Sequence, residues 1–118
     1  MRQANVHDEG TWQWRLDGGV HEVALLLSGE IDVAGVARFA EVLREAIDRA
    51  PRVRVDLARL SFLDSTVLSA LVAAHRDASE AGKRLTVVNP VGHVRRVLDI
   101  TGLLAALEQE EDIWPSAG

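Results

Sequence analysis

Residues 60–71 read LSFLDSTVLSAL, and this stretch gives the strongest indication of the fold. The run just before it, Arg52 to Leu57, reads RVRVDL and is typical of a short strand. Beyond the centre of the stretch, apolar side chains recur three and four positions apart, as on the buried side of a helix. They are Val67, Leu68, Leu71, Val72, Ala74 and Ala78. The pattern predicts a strand, a turn and a helix that runs from Ser65 to about Ala81.

The residues at this junction are Asp64, Ser65 and Thr66. Their short oxygen-bearing side chains favour a helix N-cap because they accept hydrogen bonds from free backbone N–H groups. Ser65 is therefore predicted at a helix N-terminus, where unpaired donors and the positive end of the dipole favour an anion such as phosphate. Taken alone, the tripeptide is more simply a helix cap, so the phosphate interpretation depends on the rest of the chain.

The composition indicates one globular domain and excludes several classes of function. A chain of 118 residues is long enough for one core, and no apolar run approaches the length of a membrane span. The first ten residues contain no apolar segment like that of a signal peptide, so we expect a cytoplasmic protein. The chain has no cysteine, which excludes disulfides, thiol catalysis and thiolate metal sites.

The net charge of −5 comes mainly from an acidic C-terminal tail, residues 108–118. Four of the eighteen acids lie there, which leaves fourteen acids against thirteen bases elsewhere. No basic stripe could follow a phosphate backbone, so we expect no nucleic-acid partner. The tail and residues 1–10 are both predicted to be loosely held, because chain termini rarely bury much surface.

The N-terminal half of the folded region predicts a β-hairpin. The runs Thr11 to Leu16 and Val20 to Ser28 flank the turn signal Asp17-Gly18-Gly19. Within the second run, Val23 to Leu27 is apolar without a break, which predicts burial on both faces of the sheet. A helix with Asp32 as its candidate N-cap follows, and its apolar residues keep helical spacing.

After that helix, the chain continues to alternate strands and helices. Pro51 ends the first helix, and Arg84 to Val88 reads as a further strand beyond Gly82. Asn89-Pro90 predicts the start of a third helix that closes at Thr101-Gly102. Leu103 to Leu107 is expected to form a last short strand.

The predicted order of elements, β-β-α-β-α-β-α, implies βαβ crossovers and a mainly parallel sheet. We therefore predict an α/β fold with one domain over residues 11–107. It has a mixed sheet of four to five strands, an N-terminal hairpin, and three to four helices packed on the sheet.

Three segments of the sequence together resemble STAS domains, in particular the bacterial anti-sigma factor antagonists. The first is Gly29-Glu30-Ile31-Asp32 at the end of the second strand, and the second is the strand, Asp64-Ser65 and helix arrangement. The third is VNPVGHVRRVLDITGL, from Val88 to Leu103. The resemblance covers about Val20 to Leu107 and implies the STAS fold.

The resemblance also implies a partner switch that regulates sigma-factor-dependent transcription. In the family, an anti-sigma factor that is also a serine protein kinase, of histidine-kinase-like ATPase fold, phosphorylates the serine after the aspartate. The unphosphorylated antagonist binds that kinase, the phosphorylated one releases it, and a serine phosphatase resets the switch. By position, Ser65 is the phosphoacceptor. The implied partner-binding residues are Gly29, Glu30, Asp32, Asp64, Ser65, Thr66 and Val67.

This sequence departs from the family pattern directly after the acceptor. The family often has a second serine and then glycine, whereas this chain has Thr66 and Val67. Val67 either adds a side chain where a partner backbone approaches, or is a core residue of the helix, and the helical spacing favours the core. Some STAS domains are not phosphorylated and act as interaction modules, for example in lipid-transport complexes. That alternative stays open.

The sequence does not predict an enzyme. Ser65 lacks the G-x-S-x-G elbow of a serine hydrolase, and His75 lies ten residues along the same helix, about 15 Å away. The four histidines have no metal-ligand spacing, and lone histidines on a helix surface are usually solvated. No glycine-rich phosphate loop is present, so we expect no cofactor and no metal. We expect no membrane partner, and a monomer or weak dimer.

Overall fold

The computed structural model describes residues 5–108, and in this range a five-stranded sheet is accompanied by four α-helices. A short 3₁₀ turn, Val33–Gly35, follows the third strand. In chain order the elements are β1 (His7–Asp8), β2 (Trp12–Gly18), β3 (Glu22–Ile31), α1 (Val36–Arg49), β4 (Arg52–Leu63), α2 (Ser65–Glu80), β5 (Arg84–Val88), α3 (Gly92–Thr101) and α4 (Leu103–Glu108).

The strands lie in the sheet in their sequence order. The β1–β2 and β2–β3 pairs are antiparallel, and the β3–β4 and β4–β5 pairs are parallel. The parallel pairs are connected through α1 and α2, because parallel neighbours need a crossover element between them. The predicted α/β fold, with its mixed sheet and N-terminal hairpin, is confirmed.

In strand β3 one face of the sheet is buried and the other is only partly covered. In β3, Val23, Leu25 and Leu27 are at most 2% exposed, whereas Ala24 and Leu26 between them are only half-buried. The prediction that this strand is buried on both faces is therefore wrong. The alternate side chains of β3 are therefore only partly covered, whereas three consecutive residues of β5, Leu85, Thr86 and Val87, are buried.

The first strands are tied to the core by tryptophan. Trp12 and Trp14 are 2% and 3% exposed, and the Trp12 ring meets Phe39 of α1 edge-on at a centroid distance of 6.0 Å. The Trp14 indole N–H donates to Glu9 Oε2 at 2.9 Å, and its ring stacks on His7 at 4.1 Å. These contacts place residues 7–9 on the domain, ahead of the boundary predicted at residue 11.

Strand β4 is longer than predicted, since it continues past Leu57 to Leu63. Two register irregularities occur in its pairing with β3, and across them the buried positions become Leu57, Leu60 and Leu63, three residues apart. A bulge adds a residue to one strand without ending the pairing. The strand therefore carries the chain directly to Asp64.

The start of the third helix also differs from the prediction. The helix begins at Gly92 with Val91 as its N-cap, two residues later than the predicted Asn89-Pro90 start. Asn89 adopts a φ of 59°, in the left-handed region, which turns the chain before the helix can begin.

The predicted last strand, Leu103 to Leu107, is instead the helix α4. Gly102 takes a φ of 74° and closes α3, and the chain then turns into a new helix. Leu104 and Leu107 are buried, and α4 packs against α3 and β5. Residues 103, 104 and 107 share one helical face, so a helix buries Leu104 and Leu107 and partly covers Leu103, whereas a strand would turn Leu104 to the opposite side.

Gly29 allows β2 to approach β3 closely. Its φ is +93°, and an added Cβ would overlap the Thr11 carbonyl oxygen and lie 2.9 Å from Trp12 Cα. Gly10 has a similar φ of +99° but open space around it. A substitution at Gly10 therefore introduces backbone strain alone, whereas a substitution at Gly29 introduces both backbone strain and steric overlap.

We expect Gly10→Ala to cost about 1–2 kcal/mol of unfolding free energy, because alanine disfavours this backbone conformation. Gly29→Ala should cost about 1–3 kcal/mol more, because the β2 backbone must also move. Denaturant unfolding of the two variants measures the difference. Equal losses would show that β2 moves away without cost.

Candidate functional site

The junction between β4 and α2 is built around the carboxylate of Asp64. Asp64 is the N-cap of α2, and its Oδ1 accepts the Val67 backbone N–H at 3.0 Å. The same oxygen accepts the Thr66 hydroxyl at 2.6 Å. One side chain therefore satisfies donors of the first helical turn that have no partner within the helix.

These hydrogen bonds lower the pKa of Asp64. The Thr66 hydroxyl contributes most and the Val67 N–H next, and smaller contributions come from the backbone N–H groups of Thr66 and Val33. The charged form accepts all of these bonds, so it is favoured over the protonated form. The contribution of Val33 shows that the turn after β3 lies against the same carboxylate.

Ser65 is the first residue of α2. It is exposed, and its hydroxyl makes no hydrogen bond with any residue of the described range 5–108. The position of the Ser65 side chain is thus set by the helix backbone and not by a hydrogen bond to a neighbouring side chain. The hydroxyl of a serine in this position is accessible to a phosphoryl donor that approaches from solvent.

The turn after β3 lies beside the start of α2. Asp32 caps the 3₁₀ turn, and its Oδ1 accepts the Ala34 N–H at 3.0 Å. Ile31 and Leu63, the residues just before the two aspartates, are paired in the parallel β3–β4 ladder. The structure therefore brings Asp32, Asp64 and Ser65 to one edge of the sheet, as the strand order implies.

Gly29 and Glu30 shape this edge through the backbone. The Glu30 N–H donates to the Thr11 carbonyl and its own carbonyl accepts the Thr11 hydroxyl, each at 2.9 Å. The Ser61 hydroxyl donates to the Gly29 carbonyl at 3.1 Å. Gly29 is half-buried and Glu30 is exposed, so only Glu30 presents a side chain to solvent here.

Val67 does not reach the surface. It is completely buried, at the same burial as Leu71 one turn further along α2. Its side chain therefore belongs to the core of the domain. Thr66, in contrast, is exposed beside Ser65.

Sequence reasoning missed an aromatic stack next to this edge. The rings of Phe62 and His93 are stacked, with centroids 5.0 Å apart and an interplanar angle of 15°. Val33, in the turn capped by Asp32, is 62% exposed. No local pattern joins these residues, because they come from β4, α3 and the turn, and only packing places them near the same junction.

A shallow groove of about 380 Å³ runs along α2 from Ser65. Its lining is mainly small and apolar, and α4 closes one side through Leu103. The lining residues that belong to α2 follow helical spacing, and this spacing could have indicated from the sequence that they lie on one face of the helix. They are Ser65, Leu68, Ser69, Val72, Ala73, Arg76 and Leu103.

The histidines form no metal site in the part of the chain that the structure describes. Between residues 5 and 108, no group of three or more His, Asp or Glu side chains could hold an ion. His75 is buried, with 4% exposure. It lies four residues after Leu71 and so faces the core. Within this same range, no helix is long and apolar enough to cross a membrane.

The family model described as "Mlab, STAS domain" matches residues 14–108. The chain belongs to the STAS domain family. The match begins in β2 and ends at the last residue of α4, so it includes the whole β4–α2 junction and the turn after β3.

Curated relatives of this STAS domain are named as antagonists. An anti-sigma-B factor antagonist of Staphylococcus epidermidis is 33% identical over 78 residues, which is 65% of this chain and 72% of that protein. An anti-sigma-B factor antagonist of Bacillus subtilis is 29% identical over 83 residues, 70% of this chain and 76% of that protein.

Solved structures share the fold. The unphosphorylated anti-sigma factor antagonist SpoIIAA matches with a TM-score of 0.69 at 23% identity, over 85% of this chain and 89% of its own. SpoIIAA of Bacillus in its phosphorylated form gives 0.64 at 22% identity, over 85% and 92%. An anti-sigma factor antagonist from Mycobacterium paratuberculosis gives 0.74 at 21%, over 91% and 92%.

The cap formed by Asp64 can be tested through stability. We expect Asp64→Ala to lower the Tm by several degrees, and Asp64→Asn by less, because asparagine also caps helices well. The ionised carboxylate stabilises the folded state above its unfolded-state pKa, near pH 4, and this stabilisation disappears as pH falls through the lowered folded-state pKa.

Melting curves from pH 7 to pH 3 should therefore show the difference between the parent and Asp64→Ala shrinking in acid. Asp48→Ala, which removes an exposed carboxylate from α1, is the matched control and should leave the Tm nearly unchanged. A parent-to-variant difference that stays constant with pH would contradict the role of the charged carboxylate.

Proposed function

We propose that this STAS domain is an anti-sigma factor antagonist whose partner binding ends when Ser65 is phosphorylated. The observation that carries the proposal is an exposed serine hydroxyl, without a hydrogen-bond partner among residues 5–108, directly after the capping Asp64. The antagonist names of the curated relatives support the function. In this role the chain is the substrate of a kinase, acts in the cytoplasm and catalyses no reaction itself.

The proposed partner is an anti-sigma factor that is also a serine protein kinase of histidine-kinase-like ATPase fold. The surface it would contact is the edge where β3 and β4 end. This edge presents the exposed side chains of Glu30, Asp32, Ser65 and Thr66 together with Asp64, while Gly29 and Val67 shape it from within. A serine phosphatase would return the chain to its binding form.

A phosphate on Ser65 would stand at the positive end of the α2 dipole, which stabilises it. However, Asp64 already accepts the Val67 N–H and the Thr66 hydroxyl, so these donors are not free for the phosphate. The new group, with roughly −1.5 to −2 charges, would therefore extend outward beside two aspartates. The surface changes strongly, and the fold is left nearly untouched.

This placement explains how one modification could end binding. A partner docked closely over the start of α2 would meet added bulk and a concentrated negative charge that it must desolvate. A penalty of about 3 kcal/mol at such a contact lowers affinity roughly 100-fold. No unfolding step is required.

A second candidate is a STAS interaction module that is not phosphorylated and belongs to a larger assembly, such as a lipid-transport complex. The matched family model is described as "Mlab, STAS domain" and not as an antagonist, and this description supports the second candidate. Co-purification separates the two: a small histidine-kinase-like ATPase supports the antagonist, and transporter components support the module.

The switch predicts opposite effects of two substitutions at one position. Ser65→Asp should weaken binding to the cognate anti-sigma factor about tenfold or more, because it adds charge at the contact, whereas Ser65→Ala should keep binding. Both variants should melt within a few degrees of the parent, since each changes one exposed cap-region residue. Binding and melting are measured on the same samples.

Ser69→Asp is the control, because it adds the same charge one turn further along α2. An equal loss of binding in Ser69→Asp would indicate a general charge effect, and a loss caused by unfolding of Ser65→Asp would contradict the surface mechanism. Peptide mapping after incubation with the kinase and ATP should place a single phosphate on Ser65. Phosphate on Thr66 or Ser69 would overturn the assignment.

The binding edge can be tested by charge reversal. Asp32→Lys should weaken partner binding more than Glu45→Lys or Asp48→Lys, which reverse exposed charges on α1. Asp64→Lys should also weaken binding, but it removes the helix cap, so its melting curve must be recorded alongside. Titrations that give equal effects at all four positions would place the interface on a different face.

A further inference from the structure

A pocket of about 280 Å³ lies on the partly exposed face of β2 and β3, and Ser65 is not among its lining residues. It lies over β2 and β3, at positions that alternate with the buried Trp14 and Leu27. Its volume is at the small end of the range for ligand pockets, about 300–1,000 Å³. The lining residues are Val6, Gln13, Trp14, Arg15, Leu26, Leu27, Ser28 and Arg59.

Two arginines in this lining are without a partner in the described part of the chain. There, the Arg15 Nε is buried from solvent and donates no hydrogen bond. Among residues 5–108, Arg15 and Arg59 form neither a hydrogen bond nor an ion pair. Arg54, on a neighbouring part of the sheet, is in contrast paired with Glu22 at 3.3 Å. Buried N–H groups without an acceptor are rare in folded proteins because they are costly.

The register of the sheet lets both guanidinium groups reach one ligand. Arg15 lies opposite Leu26 in the β2–β3 pair, and Arg59 lies opposite Ser28 in the β3–β4 pair. Two strand spacings and one two-residue step separate their Cα atoms by about 12 Å. Long arginine side chains can close that distance from both sides over the middle of β3.

The other polar side chains of the lining are already hydrogen-bonded, so the two arginines are the groups that can donate hydrogen bonds to a ligand. The Ser28 hydroxyl donates to Gln13 Oε1 at 3.0 Å, and the Gln13 amide donates to Asp8 and to the Gly10 carbonyl. None of the described residues that line the pocket is acidic. Leu26 and the 61% exposed Val6 supply apolar surface next to the two cations.

We propose that this pocket binds a small organic anion with a short apolar portion, a carboxylate or a phosphate monoester. The anionic group would accept bidentate hydrogen bonds from Arg15 and Arg59, a geometry that guanidinium favours. The apolar portion would lie against Leu26 and Val6. This binding site is separate from the proposed switch, so its occupation can be tested without the partner protein.

The test is a titration of the full chain followed by amide chemical shifts, with hexyl phosphate, hexanoate, inorganic phosphate and hexanol as probes. We expect hexyl phosphate or hexanoate to bind, with the largest shifts at Arg15, Leu26, Ser28 and Arg59. Comparison of the two identifies the preferred headgroup. Inorganic phosphate and hexanol, which each lack one half of the ligand, should bind more weakly.

Arg15→Gln and Arg59→Gln should each raise the Kd of the preferred probe about tenfold, since each removes charge-assisted hydrogen bonds. Arg54→Gln is the matched control, because it removes a paired arginine from the same face, and it should leave the Kd unchanged. Melting curves show whether the variants stay folded. The proposal is overturned if neither anion binds at about 10 mM, a concentration that would nearly fill a site with a Kd of roughly 1 mM. It is also overturned if Arg54→Gln weakens binding as much as Arg15→Gln and Arg59→Gln.

Discussion

The carboxylate of Asp64 holds the junction between β4 and α2 in place. It accepts the Val67 N–H and the Thr66 hydroxyl, and it lies against the turn that follows β3. A helix start leaves backbone donors unpaired, and here one charged side chain accepts the backbone N–H of Val67. Because those bonds occupy the cap, the neighbouring Ser65 hydroxyl remains at the surface and without a partner in the described range.

The parallel pairing of β3 and β4 makes this junction a surface. Ile31 pairs with Leu63, so the two chain segments that follow them emerge side by side although they are far apart in sequence. The close approach of β2 at Gly29 holds the end of β3 in place. The edge therefore has a defined geometry to which the Ser65 side chain contributes no hydrogen bond within the described residues.

The two faces of the sheet serve different purposes. The covered face buries the alternate apolar side chains of β3 and β4 under the helices, and this burial supplies most of the driving force for folding. The other face is only partly covered at β2 and β3 and carries arginines, two of which lack partners in the described range. A face that is only partly covered thus leaves room for an interaction site that the core does not require.

The strand-turn-helix junction, the hairpin and the position of Ser65 could be predicted from the sequence, because helical periodicity, turn glycines and capping residues are local signals. The other features depend on contacts between distant parts of the chain. Pairing with β3 carries β4 on to Leu63, and packing on α3 and β5 makes a helix of residues 103–108, a run too short for periodicity to classify. The Phe62–His93 stack and the Arg15–Arg59 pocket join separate elements, and such contacts arise only when the chain has folded.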